Sequence, residues 1–74
     1  MELRKAFARN LRAARAAKKV SQEELAERAE LDRTYISALE RCLYSASLDT
    51  IERIAKALSV EPALLLEREP RGRR

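Results

Sequence analysis

Leu3, Phe7, Leu11 and Ala14 recur three and four positions apart at the start of the chain, with Arg4, Arg9, Arg12 and Arg15 on other faces. That spacing predicts an amphipathic helix from about Leu3 to Ala17. Lys18 and Lys19 suit its C-terminal end, where cations meet the negative end of the helix dipole. Ser21-Gln22-Glu23-Glu24 then reads as a capping box: the Ser21 hydroxyl accepts from the Glu24 N–H, and the Glu24 carboxylate reaches back to Ser21. A second helix follows from Gln22 to about Ala29, with Leu25, Ala26 and Ala29 inward. Asp32 is the next N-cap and opens a third helix, Arg33 to about Arg41, with Ile36 and Leu39 inward.

Only Glu30 and Leu31 separate the second helix from that cap. Helices joined so tightly must cross at a steep angle, which is the helix-turn-helix arrangement. Cys42 to Ser47 is uncharged and reads as a loop. Ser47 caps a fourth helix, about Leu48 to Leu58, with Leu48, Ile51, Ile54, Ala55 and Leu58 inward. Pro62 suits the first position of a short fifth helix that runs to about Arg68. Residues 1–68 thus form one domain, and Pro70 and Gly72 mark residues 69–74 as a basic, mobile tail. The predicted class is all-α, a compact five-helix bundle.

Length and composition narrow the function. A chain of 74 residues buries only about 60% of its unfolded surface, which leaves no room for a second domain or a deep enzyme cleft. One cysteine and no histidine exclude an internal disulfide framework and any histidine-based zinc site or triad. A single free thiol fits the cytoplasm better than a secreted setting. The longest pure apolar run, Ala63–Leu66, is far short of the roughly 20 residues that span a membrane. No glycine-rich phosphate cradle is present, and the acidic cluster Glu23, Glu24 and Glu27 is explained by capping and solvation. No enzyme, metal, cofactor or small-molecule ligand is expected.

The net charge of +4 hides an asymmetry. Residues 1–19 carry seven basic side chains and one acid, and residues 68–74 carry four basic and one acid. Residues 20–41 and 42–67 are net acidic. Basic ends fit either a solvated surface or an anion-binding footprint. The third helix separates the two. Once Ile36 and Leu39 pack down, one stripe remains outward: Arg33, Thr34, Ser37, Ala38 and Arg41. It is basic, hydroxylic and small, and it can enter a major groove, where Arg bonds guanine and Thr or Ser bond bases or phosphates. Two capped helices with a tight corner favour double-stranded DNA as the partner.

The strings Ser21-Gln22-Glu23-Glu24-Leu25-Ala26, Leu31 to Ser37 and Ser47 to Leu58 carry a resemblance. The chain resembles the phage-repressor-like (Cro/repressor, Xre-type) helix-turn-helix domains over about Phe7 to Leu66. Its size and its Leu-Asp-Arg-Thr-Tyr-Ile-Ser string are similar to the controller proteins of restriction–modification systems. The resemblance implies a lambda-repressor-like fold and a transcriptional regulator that binds a two-fold operator as a homodimer. It implies that Arg33, Thr34 and Ser37 contact bases or nearby phosphates, and that Gln22 clamps a phosphate beside a helix N-terminus. Arg41 and Tyr44 join the DNA-facing set, Tyr44 by hydroxyl contact. Tyr35 either reaches the DNA backbone or caps the core with its ring.

Two departures from the family pattern stand out. Glu30 occupies a corner position where many members have glycine, so a left-handed Glu30 is expected to cost on the order of 1 kcal/mol. The loop after the third helix lacks the usual cation, and Cys42 there reads as a half-buried filler. Leu64, Leu65 and Leu66 exceed what a short last helix buries in its own domain, so Val60, Leu64 and Leu65 are expected at a dimer interface. A protein-interaction module, such as an antitoxin, is the competing class; it would carry an added toxin-binding segment, and only six residues follow the fifth helix.

Overall fold

The computed structural model describes residues 2–68, so the expected basic tail at 69–74 lies outside the described residues. Five helices follow in order: α1 (Glu2–Lys18), α2 (Gln22–Ala29), α3 (Arg33–Glu40), α4 (Leu48–Leu58) and α5 (Pro62–Leu65). Each of the three middle helices starts at an N-cap read from the sequence. Ser21 accepts from the Glu24 N–H, Asp32 from the Thr34 N–H, and Ser47 from the Thr50 N–H. Only half of the capping box forms, because the Glu24 carboxylate turns to Arg28 one turn on, at 2.7 Å.

The C-terminal ends of α1 to α4 share one device. Lys19, Glu30, Cys42 and Ser59 all adopt the left-handed conformation, with φ between 58° and 63°. In each case the next N–H bonds back to the last turn: Val20 to Arg15, Leu31 to Ala26, Leu43 to Ala38 and Val60 to Ala55. This is the Schellman ending, which satisfies carbonyls the helix leaves unpaired. Apolar residues follow the left-handed position every time. Val20, Leu31 and Val60 pack on the core, while Leu43 is exposed.

The core is built by Leu11, Leu25, Ile36, Leu39, Ile54, Leu58 and Leu65, all fully buried. α2 packs on both α3 and α4, and α1 runs against α3 and α5. Three inward or outward assignments change. Leu48 is 79% exposed, because at the first position of α4 its stripe points past the edge of the core. Leu3, near the start of α1, is likewise exposed. Ala38, expected outward, is buried at 4%, because α3 packs against α1 as well as α2.

α5 is shorter than expected and is gripped from α1. The Asn10 amide donates to the carbonyls of Leu65 and Glu67, and Arg9 donates to those of Glu67 and Arg68. This seating turns Leu65 fully inward, at 0% exposure, so Leu65 belongs to the monomer core and not to a dimer surface. Leu64, at 43%, takes the outward position, and Val60 is half-buried against the core.

Candidate nucleic-acid interface

The corner between α2 and α3 fixes how α3 is presented. Glu30 is left-handed there, with φ 59° and ψ 48°, at the corner where the family resemblance places glycine in many members. Asp32 then caps α3 within two residues. Ile36 and Leu39 anchor the buried side of α3. Arg33, Thr34 and Arg41 are exposed, and Ser37 is half-buried beside them. Among the described residues, the Arg33 and Arg41 side chains enter no ion pair or hydrogen bond. Arg15, Arg28, Arg53 and Arg68, by contrast, are each paired to a carboxylate. The cations on the exposed face of α3 are therefore free to meet an external anion.

Tyr35 is half-buried against the core, and its ring centroid lies 6.4 Å from that of exposed Tyr44, tilted by 40°. The two tyrosines thus join α3 to the loop that follows it. Cys42 sits half-buried at the left-handed end of that helix.

The end of α3 carries a feature that the sequence reading passed over. Glu40, one of the acids that make residues 20–41 net acidic, is 4% exposed. Its carboxylate accepts two bonds from Arg15 of α1, at 2.6 and 3.0 Å, and one from the Gln22 amide at 3.0 Å. Its carbonyl accepts from Arg12. The hydrogen bond to Glu40 raises the Arg15 guanidinium above its usual value, partial burial opposes this, and the carboxylate charge adds to it. Arg15 also donates to the Val20 carbonyl at 3.0 Å. One carboxylate so ties α1 and the first turn of α2 to the end of α3. A signal for it existed: Arg15 follows core Leu11 by four positions, Glu40 follows core Ile36 by four, and their charges are opposite.

Gln22 therefore serves a neighbour inside the chain and is itself half-buried. It lines, together with Ser37 and Arg41, a groove of about 560 Å³ between α1 and α3. The structure brings together Gln22, Ser37 and Arg41 along this groove and Tyr35 with Tyr44 at the loop. Leu64 and Val60 lie on other elements, α5 and the turn before it. No group of three or more Cys, Asp or Glu side chains among the described residues is placed to hold a metal ion.

Residues 11–65 match the family profile described as Helix-turn-helix. The control protein C.BamHI from Bacillus amyloliquefaciens is 47% identical over 66 residues, which cover 88% of this chain and 82% of that protein. A hypothetical transcription factor from Neisseria meningitidis serogroup B is 48% identical over 65 residues; the chain spans 61% of its length. The crystal structure of a hypothetical transcription factor from Neisseria superposes with a TM-score of 0.86 at 47% identity over 89% of this chain and 76% of that one. The restriction-modification controller protein C.Esp1396I, solved as a tetramer in complex with its natural 35 base-pair operator, superposes with a TM-score of 0.82 at 32% identity, covering 88% and 86% of the two chains. The capped α2–α3 pair, its left-handed corner and these likenesses agree: the chain belongs to the helix-turn-helix family.

Proposed function

We propose that this protein is a sequence-specific DNA-binding transcriptional regulator that acts in the cytoplasm as a homodimer on a two-fold operator. It reads DNA and carries out no chemistry on it. The regulated genes are those of a restriction–modification system, its own among them, in keeping with the control proteins to which it is similar. The observation that carries the reading is the exposed face of α3, where Arg33 and Arg41 stand unpaired beside Thr34 and Ser37 while the buried face is locked into the core. Arg33 at the first turn of α3 bonds a guanine edge; Thr34 and Ser37 bond bases or phosphates. Gln22, Tyr35 and Tyr44 hold the backbone on either side.

One eight-residue helix reads few base pairs, so a second copy supplies the other half-site about 34 Å away. Leu64, with Val60 behind it, is the apolar surface that joins the copies. Footprinting on the DNA upstream of the gene tests the reading: two protected half-sites one helical turn apart are expected. Arg33→Ala should cost about 1–3 kcal/mol on that site and relax the preference at one base pair in each half. Equal losses on the operator and on random duplex would remove Arg33 from base reading.

A further inference from the structure

The groove beside α3 has a second wall that the reading above leaves without a role. Lys5, Ala8 and Arg12 of α1 line it opposite Ser37, Arg41 and Cys42. Positions 5, 8 and 12 share one face of α1, and Lys5 and Arg12 stand two turns apart, about 10 Å along the axis. Between them Ala8 is buried, and with Ser37 it gives the groove a floor of small side chains.

The charge of this groove is positive. Lys5, Arg12 and Arg41 are exposed on its rim. The carboxylate that lines it, Glu40, is already neutralised by two bonds from Arg15 and occupied by Gln22. Among the described residues, Lys5 has no hydrogen bond or ion pair. Arg12 is tethered by one guanidinium nitrogen to the Glu40 carbonyl, which holds it at the rim. That bond leaves its other N–H groups able to donate outward.

Ser37 and Arg41 belong both to this groove and to the exposed face of α3. A duplex lying along α3 therefore passes over the groove mouth. We propose that the groove is a seat for backbone phosphates flanking the bases read by α3, with Lys5 and Arg12 of α1 as the contacting cations. The proposal rests on the DNA-binding reading and assigns α1 a part in it. These contacts position the duplex and carry no sequence information, because they reach phosphate and not base edges. Arg12 is the oriented partner, since its tether limits its swing, and Lys5 is a mobile point charge.

The test measures binding of operator and random duplexes of equal length, by fluorescence anisotropy, across a salt series. Lys5→Ala touches no internal contact. Each lost phosphate contact should lower the log–log salt slope by about 0.9, so about 1.8 for a dimer, and weaken binding about eightfold per contact at 0.1 M salt relative to 1 M. The factor should be the same on both duplexes. Arg12→Gln should act in the same direction, with thermal melting as the check on folding. Lys56→Ala, an equal charge change on an exposed residue of α4 outside the groove, is the control. A slope for Lys5→Ala that equals wild type or matches Lys56→Ala overturns the seat while leaving DNA binding intact. A wild-type protein that binds neither duplex at low salt overturns both.

Discussion

Replacing Glu30 by glycine should make this protein more stable. Glu30 sits at φ 59° and ψ 48°, where a Cβ crowds the following carbonyl. A non-glycine residue pays about 1–2 kcal/mol for that conformation. Glycine removes the penalty but gives back about 0.5–1 kcal/mol, because its unfolded chain is freer. The net gain is about 0.5–1 kcal/mol. Little is lost from the side chain: its carboxylate is 3.9 Å from Arg53, and both groups are well exposed. An ion pair of that kind contributes at most a few tenths of a kcal/mol. For a domain of this size, 1 kcal/mol moves the midpoint by about 4–8 °C, so Glu30→Gly should melt roughly 2–8 °C higher. Circular dichroism melts at one fixed protein concentration measure this, since the proposed dimerisation would make the midpoint concentration-dependent. Glu30→Ala is the internal control. It loses the same ion pair and keeps the Cβ, so it should show no rise. Equal melting of the two variants would mean that the left-handed corner stores no strain. Ser59→Gly, at the left-handed end of α4, should add its own similar gain.

The remaining expectations concern the buried charge and the outer leucine. Glu40→Gln leaves the half-buried Arg15 without its counter-charge and should cost about 2–4 kcal/mol, read as a melting midpoint lower by about 8 °C or more. Because the Glu40 hydrogen bond raises the Arg15 guanidinium above its ordinary value, that contribution is complete below the unfolded value and fades only in strong alkali. The gap between wild type and Glu40→Gln should therefore be the same at pH 7 and pH 9; a gap that closes by pH 9 would show that Arg15 is not the partner that matters. Leu64→Asp should convert the proposed dimer to a folded monomer in sedimentation, whereas Leu65→Asp should unfold the chain. An unchanged dimer mass for Leu64→Asp would remove α5 from the interface.

Local signals in the sequence located the elements well, because the chain marks its own helix boundaries. Ser21, Asp32 and Ser47 each cap the helix that follows, and α2 and α4 begin and end where their caps and apolar stripes place them. The left-handed corner at Glu30 came from the family resemblance, which places glycine at that position in many members. What escaped was set by neighbours far along the chain. Ala38 looks outward on a helix with one buried side, but α3 is covered on two sides, by α1 and α2. Counting leucines after Pro62 showed that one too many was present for the core. The seating of α5 on α1, held by Asn10 and Arg9, puts Leu65 in the core and Leu64 outward. Glu40 and Arg15 each look like solvated charges within their own helix; their burial is created by the crossing of α1 and α3, 25 positions apart.

That crossing changes what the basic first helix does. A charge count treats the cations of α1 as a diffuse attraction for polyanions. Yet Arg15 is consumed internally, Arg9 holds the end of α5, and Arg4 bonds Ser45 in the loop after α3. Lys5 and the outward part of Arg12 are what remains near α3. Because Glu40 ties α1 and α2 to the end of α3, while Asp32 caps its start, these cations cannot move independently of the helix that carries Arg33. A phosphate held by α1 would then fix the register of α3 over the bases, in the way that backbone contacts position and base contacts specify. On the proposed DNA-binding reading, the Arg15–Glu40 pair would be the mechanical link between attraction and selection. Its value to the protein lies in the fixed angle between two helices more than in the energy of one ion pair, because a well-packed apolar pair could supply the stability but not the bond to Gln22.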